Sequence, residues 1–476
     1  MTRAAYAAGG VAGLMILVGL AVWQFRPMIM IGVNYKAKVL CSSVFVSGRA
    51  PEDVLNEDLF VDGYELLSYF KAEIDRTAKT VSVSAMGLWP RVAVFRSGLG
   101  CVLALDETPA SLQTKRPSVT AFPKPSRATN ELWPEGDRVN LRALSSDVDR
   151  EALAGAMNSA FSETDPARLQ RTRAVVVVHR GRIIAERYAD GFSAATALPG
   201  WSMSKSVLNA LFGIAIGNAE VAGQLKRPLT FESTDLLPEW RKDSRRAIRL
   251  GSLLRMSSGL AFAEDYEDFE GDALQMLFAT ADIGRFVASK THFAPPGKTW
   301  RYSSGTTNIL SYVLRRHFKR RSDYLALPER YLFGPLGMRS AVLETDAAGT
   351  FVASSFVYAS ARDWARLGLL YLQDGIWAGR KILPDGWVAV SIKPSRVAPD
   401  ARYGLHFWLK LPDSPALGEP PMPDDSFYML GHAGQVVAIV PSRRLVIVRL
   451  GLARRPGAWQ PERILGAITA AIPPNT

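Results

Sequence analysis

A run without charged residues opens the chain and limits what its first part can become. Between Arg3 and Arg26, residues 4–25 carry no charge at all. Such a run is long enough to cross a hydrocarbon core of about 30 Å as a helix. A cleaved signal peptide is the alternative, although Gly19-Leu20-Ala21 makes a poor cleavage site. We expect an uncleaved, single-pass transmembrane anchor.

The charge of the chain favours a membrane surface over nucleic acid as its partner. The 476 residues carry a net charge of +12, with basic clusters at residues 241–249 and 315–321. No recognition motif with interleaved aromatic residues accompanies these clusters, so we expect no nucleic acid partner. The clusters suit an anionic membrane surface, and a solvated basic face is an equally good interpretation.

The segment after the anchor, residues 34–105, has the pattern of a small mixed α/β module. Its predicted elements are strands at 39–47 and 81–83, a helix at 64–74, and a hairpin formed by 92–95 and 101–105. The only two cysteines, Cys41 and Cys101, lie here, which is typical of a disulfide in an oxidising compartment, with buried free thiols as the alternative. Residues 106–146 are predicted to be a linker or a strap over the following domain.

A serine and a lysine one helical turn apart give the first indication of chemistry. Residues 201–206 (WSMSKS) end a loop and open an apolar helix, so Ser202 and Lys205 share one helix face. The first turn of a helix presents free N–H groups that stabilise a developing alkoxide. A desolvated lysine can take the proton of a serine hydroxyl. The pair is therefore a candidate nucleophile and base, and a serine cap beside a solvated lysine is the alternative.

Two later stretches belong with this pair. Tyr302-Ser303-Ser304 lies in a loop before a predicted helix, and residues 431–435 (GHAGQ) lie at the start of a predicted strand. In this order and spacing, the three motifs resemble those of the penicillin-recognising serine hydrolases. That family includes class C β-lactamases, D-alanyl-D-alanine carboxypeptidases, esterases of β-lactamase fold and 6-aminohexanoate-dimer hydrolases. Residues 248–260 and 359–368 are similar to two further segments of it.

The resemblance covers roughly residues 150 to 473 and implies an α+β fold of the β-lactamase/transpeptidase type. Strands are predicted near both ends of residues 147–473, with helices between them. We therefore expect an antiparallel sheet assembled from both ends, flanked by helices and a helical lobe. Because the family usually resides in the cell envelope, we expect this domain on the periplasmic side of the cytoplasmic membrane.

The resemblance also implies roles for single residues. Tyr302 would relay a proton from Lys205 to the leaving group. The backbone N–H groups of Ser202 and Gln435 would form the oxyanion hole. Gly434 would let a substrate backbone lie along the strand edge.

Two positions depart from the commoner family pattern. Lysine usually stands in place of His432, where it helps to bind the carboxylate of β-lactams and peptidoglycan stems, and asparagine is commoner than Ser304. Both changes favour the esterase and nylon-oligomer branch, and both residues are candidate substrate contacts. Tyr266 lies in an acidic loop that could cover the site, and it is either another substrate contact or a plain loop aromatic residue.

We therefore expect a membrane-anchored serine hydrolase that acts through an acyl-enzyme on a small ester or amide, like the 6-aminohexanoate-oligomer hydrolases. Alternatives are a peptidoglycan-directed D-Ala carboxypeptidase, a D-aminopeptidase or a β-lactamase. From another class, a catalytically silent envelope-binding protein is possible. No Cys/His cluster has the spacing of a zinc site, so no metal or cofactor is expected. The sequence gives no indication of oligomeric state.

Overall fold

The computed structural model describes residues 2–61, 63–115, 130–141, 147–411 and 421–474, with side chains in the first helix from Trp23 onward. Most side chains of the predicted anchor at residues 4–25 therefore lie outside the described residues, although its backbone is helical. Two parts of the predicted strap, residues 116–129 and 142–146, also lie outside them.

The first helix, α1 (Thr2–Phe45), continues well beyond the predicted anchor. Its section from Trp23 to Phe45 is long and apolar enough to span a membrane, yet 61% of its most apolar window is buried inside the protein. Lys36 in this section donates a hydrogen bond of 2.8 Å to the backbone carbonyl of Leu67. The second half of α1 is therefore packed as a core helix, and residues 4–25 stay the predicted anchor.

An antiparallel sheet of order β1-β2-β3-β4 packs on α1. The elements of this region are α2 (Pro51–Val54), β1 (Phe70–Asp75), β2 (Thr80–Ala85), β3 (Leu88–Arg96), β4 (Gly100–Leu103) and α3 (Pro109–Thr114). The predicted strand at 81–83 and the hairpin of β3 and β4 are confirmed. The strand predicted at 39–47 is wrong, because its short apolar run is the buried end of α1. The helix predicted at 64–74 is also wrong, since a 3₁₀ turn at Glu65–Tyr69 leads directly into β1.

Within the described part of the chain, the remaining strands form three further sheets. They are β5 (Thr172–His179), β6 (Arg182–Tyr188), β7 (Leu198–Pro199), β8 (Val342–Leu343), β9 (Val357–Ala359), β10 (Ile376–Trp377), β11 (Arg380–Lys381), β12 (Phe427–Gly431), β13 (Gln435–Val440) and β14 (Leu445–Gly451). The largest sheet is antiparallel, in the order β12-β13-β14-β5-β6. As predicted, it joins strands from both ends of the domain.

The helices of this part of the chain surround the large sheet or form a separate lobe. They are α4 (Arg150–Ala160), α5 (Ser204–Gly217), α6 (Ala219–Gln224), α7 (Leu250–Leu254), α8 (Asp272–Phe278), α9 (Ile283–Ala288), α10 (Ser304–His317), α11 (Arg321–Pro328), α12 (Gly334–Leu336), α13 (Ala361–Leu372), α14 (Trp387–Ser391) and α15 (Pro461–Ala470). Successive strand residues point to opposite faces of a sheet. Val175 and Val436 pack with α4 and α15, whereas Val176 and Val437 belong to the main core with α5 and α13.

The N-terminal region is joined to the rest of the protein by buried polar contacts as well as by a shared hydrophobic core. Lys38 of α1 forms a buried ion pair with Glu344. Glu344 also accepts hydrogen bonds from Ser42 Oγ (2.9 Å) and from the backbone N–H of Cys101 (2.7 Å). A disulfide joins Cys41 in α1 to Cys101 in β4. Because a buried charge without its partner is strongly destabilising, the two regions hold each other in place.

Candidate active site

Ser202 lies in a 3₁₀ turn, Trp201–Met203, directly before α5. The turn begins with unusual backbone geometry, since Trp201 has a φ of +47°. A Cβ atom at Gly200 would lie 2.2 Å from the ring of Trp364, so only glycine fits this approach. The other end is held by Ser204, whose Oγ accepts a 3.0 Å hydrogen bond from the backbone N–H of Val357. Tertiary contacts therefore fix the position of Ser202 from both sides.

Lys205 is the centre of the polar contacts around Ser202. Its Nζ donates hydrogen bonds to Ser202 Oγ (2.9 Å), to Ser304 Oγ (3.0 Å) and to the backbone carbonyl of Ser354 (3.1 Å). The side chain is almost fully buried. Burial lowers the pKa of Lys205 from 10.5 to about 8, while the charge of Glu264 acts in the opposite direction. A lysine with this pKa is partly neutral near pH 7 and can accept a proton from a serine hydroxyl.

Tyr302 lies beside both members of this pair. Its ring centroid is 4.9 Å from Lys205 Nζ, and its hydroxyl lies near the Ser202 side chain. The ring packs against Tyr403 and Trp408, with centroid distances of 5.9 and 5.3 Å. Desolvation, with a smaller effect of the Glu264 charge, raises the pKa of Tyr302 well above its usual value. The phenol therefore stays protonated near neutral pH and can donate a proton.

Glu264 completes the polar cluster, and the sequence alone does not identify it as a site residue. Its carboxylate accepts hydrogen bonds from the backbone N–H of Ser304 (2.6 Å), from Ser304 Oγ and from the hydroxyl of Tyr266 (2.9 Å). Ser304 thus links Lys205 to Glu264. In the sequence Glu264 is one of several acids in a single loop. The only signal that could have identified it is its position two residues before Tyr266.

His432 lies at the mouth of the site between aromatic rings. Its ring centroid is 5.6 Å from that of Trp201, edge to face, and 6.3 Å from that of Tyr266, stacked. One side of the imidazole faces the cavity, and the residue is exposed at the cavity mouth. Partial desolvation by the neighbouring rings, together with the positive charge of Arg454, lowers the pKa of His432. The imidazole is therefore neutral near pH 7 and offers no fixed positive charge to a carboxylate.

The third motif brings the start of β13 next to the serine turn. The turn Trp201–Met203 packs against β12 and β13. A Cβ atom at Gly431 would lie 2.2 Å from the carbonyl oxygen of Gly200, which shows how closely the two segments approach. Gly431 also pairs with Gln435 across the β12–β13 hairpin. The predicted oxyanion hole of Ser202 and Gln435 is compatible with this neighbourhood, and it stays a prediction.

Gly434 and the side chain of Gln435 have structural partners on the other side of this hairpin. Gly434 has a φ of +81°, and a Cβ atom there would lie 2.5 Å from Nη1 of Arg449. The Gln435 side chain points inward and donates a 2.6 Å hydrogen bond to the backbone carbonyl of Gly451. The close packing of Arg449 is therefore sufficient reason for glycine at position 434, and a contact of Gly434 with substrate stays a prediction.

An apolar cavity of about 410 Å³ leads from Ser202 towards α1. Trp201, Tyr266 and His432 line the end near Ser202. The N-terminal region supplies much of the remaining wall, through Met28, Ile31, Tyr35, Leu66, Leu67 and Phe70. The sequence of residues 34–105 contains no recognisable catalytic motif. In the structure, this region forms one wall of the site.

A family model described as Beta-lactamase matches residues 166–462, which is more than half of the protein. The chain belongs to the beta-lactamase family. Ser202, Lys205, Tyr302 and His432 all lie inside the family match. The cavity wall formed by α1 and the segment after it lies outside this match.

The chain is also similar in sequence to an individual enzyme. The chain is similar to the 6-aminohexanoate-dimer hydrolase of Paenarthrobacter ureafaciens, with 25% identity over 228 residues, which is 46% of this chain and 56% of that enzyme. The match thus spans little more than half of that enzyme's length.

Two solved structures share the fold of this beta-lactamase family member. One, a candidate 6-aminohexanoate-dimer hydrolase from Bacillus anthracis, has a TM-score of 0.50 and 23% identity, over 63% of this chain and 78% of that one. The other, a family VIII carboxylesterase, has a TM-score of 0.50 and 14% identity, over 70% of this chain and 98% of that one. At these identities the likeness shows the fold alone, and it confirms the predicted β-lactamase/transpeptidase-like fold.

Proposed function

We propose that the protein is a membrane-anchored serine hydrolase that cleaves an ester or a small amide through an acyl-enzyme on Ser202. The observation that carries this proposal is the buried contact between Lys205 Nζ and Ser202 Oγ, at 2.9 Å. Burial brings the pKa of Lys205 to about 8, so this lysine can act as a base near neutral pH. The anchor and the disulfide of Cys41 and Cys101 support a site on the periplasmic side of the membrane.

In the first half of the reaction, neutral Lys205 takes the proton of Ser202 as Oγ attacks the carbonyl carbon of the substrate. The N–H groups of Ser202 and Gln435 stabilise the negative oxygen that develops. The bond from the carbonyl carbon to the leaving oxygen or nitrogen then breaks. Tyr302 gives its proton to the leaving group and regains one from Lys205.

In the second half, water attacks the ester of Ser202 and loses a proton to the same relay. The bond between the acyl carbon and Ser202 Oγ breaks, Oγ takes back a proton, and the carboxylic acid leaves. The neutral state of His432 favours uncharged substrates over the carboxylates of β-lactams and peptidoglycan stems. The names of the relatives, a 6-aminohexanoate-dimer hydrolase and a carboxylesterase, support an amide or an ester as the bond that is cleaved.

The experiment compares the full-length protein with its Ser202→Ala variant, both in phospholipid nanodiscs. Each is treated with a fluorophosphonate probe, p-nitrophenyl butyrate and nitrocefin, and the protein mass is then measured. We expect one adduct on Ser202 and a fall in kcat/KM for the ester of about 10⁴-fold or more in the variant. Ser193→Ala, which changes an exposed serine in a turn, is the matched control and should keep both adduct and turnover.

Two other outcomes would change the proposal. Nitrocefin turnover faster than ester turnover would favour the β-lactamase alternative in spite of His432. Folded protein with neither adduct nor turnover would refute the hydrolase and favour the silent envelope-binding protein.

A further inference from the structure

The apolar cavity beside Ser202 is formed to a large extent by a region that the family match does not cover. Met28 and Ile31 of α1, with Leu66 and Phe70 after it, lie opposite Tyr266. The volume of about 410 Å³ is within the usual range of small-molecule sites, about 300 to 1,000 Å³. The wall is dominated by aliphatic and aromatic side chains, so it suits a hydrocarbon group.

The position of the catalytic groups shows which part of a substrate would enter this cavity. Ser202 itself lines the cavity, whereas the ring of Tyr302 packs against Tyr403 and Trp408. After bond cleavage, the acyl group is the part that stays on Ser202 Oγ. The leaving group must be close to its proton donor, Tyr302. The acyl chain would therefore extend into the cavity, with the leaving group on the side of Tyr302.

The cavity also begins close to the predicted end of the membrane anchor. The anchor ends at Phe25, and Met28 is the first cavity residue, three residues later along the same helix. At 1.5 Å per residue, this separation is about 4.5 Å along the helix axis. A cavity that starts there would lie at the level of the membrane surface.

Exposed apolar side chains surround this end of the cavity. Leu66, which lines the cavity, is 61% exposed, and Tyr69 is 73% exposed. Phe70 packs against Gly32 of α1 and pairs with Ala85 of the neighbouring strand β2. The turn that follows Ala85 exposes the side chains of Met86 and Leu88. A cluster of exposed apolar residues is typical of a protein or membrane contact. Its position next to the anchor favours the membrane.

We propose that the substrate is a carboxylic ester with a medium or long hydrocarbon acyl chain taken from the membrane, and that the cavity between α1 and Tyr266 binds this chain. The inference rests on the proposed acyl-enzyme mechanism. Ser202 Oγ forms a bond to the acyl carbon, the bond from that carbon to the ester oxygen breaks, and the alcohol leaves with a proton. Water then releases the fatty acid and restores the serine.

The test measures kcat/KM of the full-length protein in nanodiscs for p-nitrophenyl acetate, butyrate, hexanoate and octanoate. Each methylene buried in an apolar cavity is expected to raise kcat/KM about fourfold until the cavity is filled. Leu66→Asp should lower the octanoate value at least tenfold more than the acetate value. Ile376→Asp is the matched control, since Ile376 is 46% exposed on the separate β10–β11 hairpin, and it should change neither value.

A binding measurement separates this inference from the hydrolase proposal. Methyl decanoate, which carries the acyl chain without a charge, should bind to the Ser202→Ala variant in calorimetry, and adding Leu66→Asp should weaken that binding at least tenfold. Turnover of acetate without any gain for longer acyl chains, or no binding of methyl decanoate, would overturn the acyl-chain site alone. A preference that follows the alcohol in a series of alkyl acetates would also overturn it. No adduct and no turnover of any ester would instead overturn the hydrolase proposal, and with it the assignment of a substrate.

Discussion

The two sides of Ser202 differ in chemistry and in origin. On one side, Lys205, Ser304 and Glu264 form a connected polar cluster, and all three lie within the family match. On the other side, the apolar cavity is walled by α1 and by the segment after it, outside that match. The proposed reactive groups therefore lie in the part of the chain that the family model covers, and much of the proposed substrate surface lies outside it.

This difference has an energetic consequence. The polar cluster depends on burial, because the low pKa of Lys205 disappears if water reaches its Nζ. The apolar wall depends on the docking of α1, which is held by the ion pair of Lys38 and Glu344 and by the disulfide of Cys41. Changes at sites that share no partners usually have additive effects. Catalytic rate and chain-length preference should therefore respond to different substitutions.

The largest expected effect is a loss of turnover after a substitution in the polar cluster. Lys205→Met keeps a long apolar stem in the buried position but removes the base, and kcat should fall about 10²- to 10⁴-fold for short and long esters alike. The measurement is steady-state turnover of butyrate and octanoate esters by folded variant protein. Lys381→Met, at an exposed surface ion pair, is the control. A fall of less than tenfold would show that Lys205 is not the base.

The next effect concerns the docking of the apolar side. Glu344→Gln leaves Lys38 charged and buried without its partner, so the protein should lose about 3 to 5 kcal/mol of stability. Thermal unfolding measures this loss, and kcat/KM for octanoate should fall more than that for acetate because the cavity wall loosens. The double variant Lys38→Met/Glu344→Gln should recover most of the stability. If the single and double variants were equally unstable, the ion pair would not be the cause.

The smallest effect is a shift in pH dependence within the polar cluster. Activity requires neutral Lys205, so kcat/KM should rise with pH and level off above an apparent pKa of about 8. The negative charge of Glu264 raises the pKa of Lys205, so Glu264→Gln should move the rise to lower pH. The full pH profile with p-nitrophenyl butyrate measures both values. Asp268→Asn, an exposed change in the same loop, is the control, and a shift to higher pH in Glu264→Gln would contradict this role.

The sequence by itself determined the features that depend only on residues close together in the chain. The spacing of Ser202 and Lys205 predicted a nucleophile and base on one helical turn, and the structure places their reactive atoms 2.9 Å apart. The strands predicted near both ends of residues 147–473 are also present, as β13 and β14 paired with β5 in the large sheet. The periodicity of apolar residues or a short motif is sufficient for such predictions, because residues that are close along the chain stay close in the fold.

Only the tertiary structure decided the features that depend on distant segments. Glu264 contacts Ser304, which lies 40 residues later in the sequence, and Lys38 contacts Glu344, which lies 306 residues later. The residues around these positions show no sequence pattern that predicts either contact. The short apolar run at 39–47 fits a strand or a helix equally well until the N-terminal sheet covers it. The cavity exists because α1 packs against a domain that begins more than a hundred residues later. The walls of the cavity therefore come from segments that are distant in the sequence, and no single stretch of residues predicts them.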